Sequence, residues 1–93
     1  MIKSWKHKGL QKLYEKGDTS GVQAKDAERI KLRLLALDNA TTTEDFKSYP
    51  GFKFHSLKGD KQNLYAITVR ANWRITFEFK DGDAWILNLE DYH

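Results

Sequence analysis

The chain has 93 residues, which fits one domain over residues 1–93 and leaves no room for a second core. Hydrophobic residues make up 40% and charged residues 31%, a balance that is typical of a globular protein and excludes a disordered one. The formal net charge of +3 favours a polyanionic partner such as nucleic acid, and the absence of cysteine excludes disulfides, thiolate metal sites and a cysteine nucleophile.

A first helix is predicted near the amino terminus, after a short strand at residues 2–5. Leu10, Leu13 and Tyr14 have the i, i+3, i+4 spacing of an apolar helix face, and Gly17 is a residue type that ends helices. The polar residues 18–21 then predict a loop.

A second, longer helix is predicted from apolar residues that recur at intervals of three and four, namely Ala27, Ile30, Leu34 and Leu37. Its other side carries Lys25, Arg29 and Arg33 four residues apart. These cations predict either a surface that grips phosphates or an acidic partner, or an ordinary solvated helix face.

From residue 52 onward the pattern changes to the period of two that is typical of strands. Four strands are predicted at about residues 52–57, 64–69, 73–79 and 83–91, and the short loops between them favour antiparallel pairing. Helices followed by strands predict an α+β fold, with two helices packed on one face of a mainly antiparallel sheet of four or five strands.

Register between the third and fourth strands follows if residues 80–82 form a three-residue loop. This loop places Phe77 opposite Trp85, Ile75 opposite Leu87, and Arg74 opposite Asn88. A wholly apolar face then lies against the helices, and Arg74 shares the other, polar face with Glu90 and Tyr92.

The second and third strands are predicted to meet at a loop formed by residues 70–72. Asn72 tolerates the left-handed conformation, so Val69 would lie opposite Trp73. Thr68 then joins Arg74 and Tyr92 on the polar face, which is where we expect the functional groups.

The candidate chemical groups favour metal-free cleavage of RNA, in which the 2′-hydroxyl of the RNA is the nucleophile. Three histidines without cysteine give no recognised metal-ligand spacing, and single glycines in turns form no phosphate loop, so neither a metal nor a cofactor is expected. His55 suits proton transfer, Arg74 suits two phosphate oxygens, and Lys58 in a turn is a mobile point charge. Tyr92 could stack on a base or donate a proton. Each also has an ordinary interpretation as a surface residue, and the last two residues as a frayed terminus.

Four segments resemble the HigB toxins of the RelE/ParE superfamily of bacterial toxin-antitoxin systems. They are MIKSWKHKGL at residues 1–10, FHSLKGD at 54–60, NWRITF at 72–77 and LEDYH at 89–93. The resemblance spans the whole chain and departs from the family pattern at Ser56, where proline is common. It implies a RelE-like fold and an endoribonuclease, an mRNA interferase that cuts messenger RNA in the A site of the 30S ribosomal subunit.

The same resemblance implies the partners and the site. The partners are messenger RNA, the ribosome and a helix-turn-helix antitoxin of HigA type, with operator DNA contacted only through the antitoxin. Arg74 and Lys58 would stabilise phosphate charge, and Tyr92 would orient the nucleotide. His55 and His93 would share proton transfer. Asp91 would orient a neighbouring imidazole or cation. The implied catalytic residues are His55, Lys58, Arg74, Asp91, Tyr92 and His93, and the implied RNA-binding residues are Lys53 and Asn72.

Two other functions stay open from the sequence. One is a ParE-like inhibitor of DNA gyrase with the same fold, which does not need this cluster of polar residues. The other is a basic RNA-binding module without catalysis. No apolar run approaches the roughly 18 residues of a membrane span, and residues 1–4 lack the start of a signal peptide, so a cytoplasmic protein without a membrane partner is expected.

Overall fold

Helices precede an antiparallel sheet in the computed structural model, which describes residues 1–57 and 63–92. The helices are α1 (Lys8–Lys16), α2 (Ala27–Asn39) and α3 (Glu44–Lys47), with a 3₁₀ turn at Ala24–Asp26 before α2. The strands are β1 (His55–Ser56), β2 (Leu64–Arg70), β3 (Trp73–Lys80) and β4 (Asp83–Asp91), in the sheet order β1-β2-β3-β4. This arrangement confirms the predicted α+β fold. Among the described residues, no helix combines the length and the apolar character needed to cross a membrane.

The first helix begins and ends where its sequence predicts. His7 caps its amino end, because the Nδ1 atom accepts a hydrogen bond of 3.1 Å from the Leu10 N–H. Gly17 ends the helix in the left-handed conformation with φ 69°. Leu10 and Leu13 are buried against the rest of the core, as their spacing predicts.

The second helix has the predicted apolar face but not the predicted row of three free cations. Arg33 is only 9% exposed. Its Nε donates to the Thr68 carbonyl at 2.6 Å, and its guanidinium lies 4.7 Å from the centre of the Phe52 ring. The expectation that Arg33 shares a binding or solvated surface with Lys25 and Arg29 is therefore wrong, because Arg33 fixes α2 to β2 instead.

Two predicted strands differ from expectation. The first sheet strand contains only residues 55–56, not 52–57, and the short helix α3 precedes it where no helix was predicted. Residues 2–5 form no strand but make two isolated parallel bridges with β4, Ile2 to Ala84 and Trp5 to Leu87. Residues 2–5 thus lie beside β4 in the place of a fifth strand, but their pairing is incomplete.

The register between β2 and β3 is the predicted one except at the turn. Thr68 pairs with Arg74, as expected, and the same register continues to the far end of the two strands. At the turn, however, Arg70 and not Val69 pairs with Trp73, and Ala71 and not Asn72 has a positive φ, of 50°. Val69 is the surplus residue of this irregularity.

The register between β3 and β4 differs from the predicted one. The loop is a two-residue turn, Asp81-Gly82, with φ values of 54° and 77°, which fits the twist of a hairpin. Beyond it, Arg74 pairs with Glu90, Thr76 with Asn88 and Ile75 with Leu89, so the predicted pairs Arg74–Asn88 and Ile75–Leu87 are wrong.

A bulge in β4 causes the second part of this shift. Ile86 has a φ of 49°, and its N–H donates to the Ser4 Oγ at 2.7 Å instead of joining the ladder. Before the bulge Trp85 pairs with Glu78, so the predicted pair Phe77–Trp85 is wrong and Trp85 lies on the polar face. After the bulge, Leu87 is buried in the core.

The core lies between the helices and one face of the sheet. Its fully buried large side chains come from both layers and are Phe46, Phe77, Leu10, Leu13, Ile30, Leu34, Leu37, Ile67, Ile75 and Leu87. The other face, which carries Arg74 and Thr76, points away from the helices and is named the outer face.

The loop before α2 packs directly on the start of α1. A Cβ atom placed on Gly9 would lie 2.4 Å from the Gly21 carbonyl oxygen, and one on Gly21 would lie 2.5 Å from the Gly9 Cα. The same loop borders a cavity of about 280 Å³ that also reaches Asp26, Trp73 and Leu89, and none of the predicted site residues within 1–57 and 63–92 lines it.

Candidate active site on the outer face

Two rows of paired residues cross the outer face of the sheet. One row contains His55, Ala66, Thr76 and Asn88, and the next contains Thr68, Arg74 and Glu90. Side chains of directly opposed residues in antiparallel strands point to the same face. His55 and Arg74 therefore share the outer face, separated by two strand spacings, about 10 Å, across the sheet and by two residues, about 7 Å, along it.

Arg74 is held from two sides, by Glu90 of β4 and by Tyr92, the residue that follows β4. Its Nε and Nη2 atoms donate to the same Glu90 oxygen, Oε1, at 2.8 and 2.6 Å. Its guanidinium carbon lies 4.2 Å from the centre of the Tyr92 ring, a cation–π contact. The Arg74 side chain is 18% exposed. Because a guanidinium has five N–H donors, these two bonds leave three to bind an anion.

Tyr92 is anchored through its backbone and leaves much of its side chain exposed. Its N–H donates to the Asn72 carbonyl at 3.0 Å, which fixes the end of β4 to the turn between β2 and β3. Tyr92 is 42% exposed, and Asn72 is also exposed. The structure therefore brings Arg74, Tyr92 and Asn72 together at one end of the outer face.

His55 is exposed, and its contacts fix which nitrogen carries the proton. Its Nδ1 atom lies 2.8 Å from the Lys53 carbonyl oxygen. A carbonyl oxygen can only accept, so Nδ1 is the protonated nitrogen of the neutral ring and Nε2 has the free lone pair. Nε2 can thus accept a proton, and the resulting imidazolium can donate it. Lys53 itself is exposed.

The remaining predicted residues occupy other places. Asp91 is exposed and pairs with Trp73, which puts it on the opposite side of the sheet from Arg74, as its parity predicts. Lys58 and His93 lie outside the described residues. Within the described ranges no three histidine, aspartate or glutamate side chains come close enough to hold a metal ion.

Glu90 is a functional candidate that the sequence reasoning did not include in the site. The sequence pattern predicts only that Glu90 shares the polar face with Arg74, whereas in the structure Glu90 accepts both bonds that fix the guanidinium. The spacing of Glu90 could have indicated its role, because residues 90 and 92 alternate with residue 91 and point to the same face as Arg74.

Helices on one face of a four-stranded antiparallel sheet are consistent with the fold of RelE-like toxins. The model of the HigB-like toxin family, described as "RelE-like toxin of type II toxin-antitoxin system HigB", matches residues 3–93. The chain belongs to this family of RelE-like toxins. It is 59% identical to the Endoribonuclease HigB of Proteus vulgaris over 93 residues, 100% of each chain. Membership of a type II toxin-antitoxin family also implies an antitoxin partner.

Proposed function

We propose that this chain is an endoribonuclease that cuts messenger RNA in the A site of the 30S ribosomal subunit and so stops translation. The Proteus vulgaris relative is an endoribonuclease by name and is 59% identical along the whole chain. The single structural observation that carries the proposal is the Arg74 guanidinium, fixed on the outer face by Glu90 and Tyr92 with three donors left. The family match favours this function over gyrase inhibition.

The proposed reaction needs no metal. The 2′-oxygen beside the scissile phosphate attacks phosphorus, and the bond from phosphorus to the 5′-oxygen breaks. A base takes the 2′-hydroxyl proton, and an acid gives a proton to the departing 5′-oxygen. The products are a 2′,3′-cyclic phosphate and a 5′-hydroxyl. Arg74 stabilises the extra negative charge on the phosphoryl oxygens during this step.

The other groups have separate roles in this mechanism. The exposed Nε2 of His55 suits proton transfer, which His55 shares with His93. Lys58 adds charge near the phosphate. The exposed part of the Tyr92 ring orients a nucleotide by stacking, and Asp91 orients a neighbouring imidazole or cation. Lys53 and Asn72, which are exposed beside His55 and Tyr92, contact the RNA.

The test uses ribosomes programmed with a defined messenger RNA and maps the new RNA ends. We expect new ends at the A-site codon, and none when the scissile nucleotide lacks its 2′-hydroxyl. Arg74→Ala should slow cleavage by about 100-fold or more, the range for loss of one transition-state donor. Removal of Tyr92 and His93 should abolish cleavage. Lys80→Ala is the matched control, because Lys80 is an exposed cation on the same strand and the same face.

Each rival function gives a different result. Messenger RNA that binds but is not cut would indicate an RNA-binding module, and uncut RNA with relaxed plasmid DNA would indicate a gyrase inhibitor. Full cleavage by a folded Arg74→Ala protein would remove Arg74 from the mechanism. Thermal unfolding of each variant provides the check on folding.

The antitoxin is proposed to be a helix-turn-helix protein of HigA type, which would also supply any contact with operator DNA. Type II toxins act with an antitoxin, and this chain belongs to such a family. Co-expression with the helix-turn-helix protein of an adjacent gene should yield a stable complex and suppress cleavage. Failure of every adjacent gene product to bind would contradict this part of the proposal.

A further inference from the structure

Two polar side chains lie next to Arg74 on the outer face and take no part in the proposed cleavage step. Thr76 and Asn88 are directly paired across β3 and β4, and they are named the Thr76–Asn88 pair. The neighbouring pair on this face is Arg74 with Glu90. Residues two apart on one strand point to the same face and lie about 7 Å apart. The Thr76–Asn88 pair therefore borders the guanidinium on the side away from Tyr92.

Neither side chain of this pair forms a hydrogen bond with any residue in the ranges 1–57 and 63–92. Thr76 is only 7% exposed, and Asn88 is half-buried. Buried polar side chains in proteins nearly always have a partner, and an asparagine amide offers two N–H donors and one carbonyl oxygen. A ligand on the outer face would supply the bonds that this part of the protein does not.

The residue type at position 88 is unfavourable for the strand that contains it. Asn88 lies in the interior of β4, and asparagine is depleted in strands, where valine, isoleucine and threonine are preferred. Its neighbours Leu87 and Leu89 point to the helix side, where Leu87 is fully buried and Leu89 packs on the core. Asn88 must then point to the outer face, and a role in binding explains the amide better than a role in folding.

The charges around the pair favour a neutral ligand group over a phosphate. Glu78 follows Thr76 on the outer face of β3, and Glu90 follows Asn88 on the outer face of β4. The pair thus lies between two carboxylates, which repel a phosphate, and it contains no cation of its own. The edge of a nucleobase is neutral and presents donors and acceptors, which an amide and a hydroxyl can match.

We propose that the Thr76–Asn88 pair reads the base of a nucleotide on one side of the scissile phosphate, whereas Tyr92 stacks on the nucleotide on the other side. A base projects away from its phosphate, so it can reach a row about 7 Å from Arg74 along the strands. Asn88 makes a paired donor and acceptor contact, for which adenine is the best match, and the Thr76 hydroxyl adds a further bond. This inference rests on the proposed function, because the messenger must lie over Arg74.

The test measures base preference in variants of the pair. A set of messenger RNAs carries each of the four bases on either side of the scissile phosphate, and kcat/KM is measured for each one on programmed ribosomes. Asn88→Ala removes the amide, and Asn88→Val removes it with a residue type that favours strands. Thr76→Val removes the hydroxyl. Asn39→Ala is the matched control, because the Asn39 amide donates to the Leu35 carbonyl at the end of α2.

We expect the wild-type protein to cleave the best messenger about tenfold or more faster than the poorest at the nucleotide that Asn88 reads, the range for one paired base contact. Both Asn88 variants should reduce this ratio to about threefold or less, while cleavage of the poorest messenger stays within about twofold of wild type. Thr76→Val should lower the ratio about threefold, as for loss of one hydrogen bond. The control should keep the wild-type ratio.

Three results would overturn the inference. A wild-type protein without base preference beside the scissile phosphate reads no base there. An unchanged preference in folded Asn88 variants would exclude Asn88 as the reader. An equal loss of cleavage on all four bases would mean that the pair only supports Arg74. Thermal unfolding provides the check on folding of each variant.

A binding measurement separates this inference from the proposed function. The Kd of each protein is measured for ribosomes whose messenger lacks the 2′-hydroxyl at the scissile nucleotide, so that no cleavage is needed. We expect the same order of bases, and its loss in both Asn88 variants. Failure of the proposed function has a different signature, because the wild-type protein would then leave every normal messenger uncut, while the ratio of Kd values between bases still decides whether Asn88 reads a base.

Discussion

Arg74 depends on Glu90 in β4 and on Tyr92, which follows the strand two residues later. Alternation alone predicted that Arg74, Glu90 and Tyr92 share a face, and the structure confirms it. The sequence could not predict that two guanidinium nitrogens bind one Glu90 oxygen, because that contact depends on side-chain rotamers and on the true register. The chemical groups of this end of the site were thus predictable, but the way they are held was not.

Glu90 is expected to act as a positioning residue for Arg74. Glu90→Ala should slow single-turnover cleavage about tenfold with little change in KM, because a guanidinium that is no longer fixed loses part of its advantage over a mobile charge. Glu90→Gln keeps an acceptor oxygen and should retain more activity than Glu90→Ala.

A double-mutant cycle decides whether Glu90 acts through Arg74. Adding Glu90→Ala to Arg74→Ala should cause no further loss of cleavage, because the group that Glu90 holds is already gone. A clear additional loss in the double variant would show that Glu90 contributes independently of Arg74.

Arg33 shows that residue spacing along a helix does not predict whether a single side chain is buried. Its distance of four from Arg29 places both on neighbouring turns of α2, which is all that a helical pattern reports. It cannot report that Phe52 and the Thr68 carbonyl from distant parts of the chain cover Arg33. Burial, followed by repulsion from Arg29, lowers the pKa of the Arg33 guanidinium.

In the β3–β4 hairpin, some differences between the predicted and the observed register change the face on which a residue lies, and others do not. Near the turn the predicted partners are displaced by one residue, which moves Trp85 to the other face. Beyond the bulge the displacement is two residues, and a shift of two leaves every face unchanged. For this reason the polar face around Arg74 was predicted correctly although its direct partner was not.

The bulge itself could not be predicted from β4 alone. Ile86 leaves the ladder because Ser4, from the opposite end of the chain, accepts a hydrogen bond from its N–H. Isoleucine rarely adopts a positive φ, since its branched side chain crowds the backbone there, and nothing in its sequence neighbourhood signals that conformation.

Relief of this strain should stabilise the protein. Ile86→Asn is expected to raise the free energy of unfolding by about 1 kcal/mol, because asparagine tolerates the left-handed region. Ile86 is 40% exposed, so the apolar area that its covered part buries is lost in this variant and opposes the gain, and the measurement compares the two contributions. For a domain of this size the midpoint of thermal unfolding should rise by about 4–8 °C.

Ile86→Val serves as the control for this prediction, since valine is also branched at Cβ and should give no gain. A lower midpoint for Ile86→Asn than for the wild type would mean that the buried part of the isoleucine side chain contributes more than the backbone strain costs.

Two aspartates, one buried and one half-buried, join the separate layers of the molecule. The Asp26 carboxylate accepts bonds of 2.6 and 3.0 Å from Arg70, which links the start of α2 to the end of β2. Asp38 in α2 accepts from the Tyr14 hydroxyl of α1 at 2.6 Å and from the Ile2 N–H at 2.9 Å. These contacts make the stability of the whole fold depend on pH.

The direction of that dependence follows from the pKa of each group. Hydrogen bonds from Arg70 lower the pKa of Asp26. Burial opposes ionisation of Asp38, but the bonds from Tyr14 and Ile2 outweigh it and lower the pKa of Asp38 as well. Burial, and then the bond to Asp38, raises the pKa of Tyr14 from 10.0 to about 12.

We therefore expect a stability plateau with two limbs. The aspartates stabilise the fold fully above their unfolded pKa of about 3.9, and this contribution is lost as the pH falls further. The contribution of Tyr14 is complete below pH 10 and is lost as the pH rises towards about 12. Denaturant unfolding at a series of pH values measures both limbs.

Two variants assign the limbs to these groups. Asp26→Asn should lower the free energy of unfolding at pH 7 by about 2 kcal/mol and flatten the acid limb, because charge-assisted bonds are lost. Tyr14→Phe should flatten the alkaline limb. Glu28→Gln, at an exposed carboxylate, should change stability by less than about 0.5 kcal/mol. An unchanged acid limb in Asp26→Asn would contradict the assignment.

The contact between Gly9 and Gly21 limits how this sequence can change over time. Most pairs of packed residues can change together during evolution, because a smaller side chain at one position makes room for a larger one at the other. Here each added Cβ would meet main-chain atoms, which no substitution at the other position can shrink. Neither glycine has a compensating mutation within the pair, so relatives that keep this loop against α1 must keep both or rebuild the loop in one step.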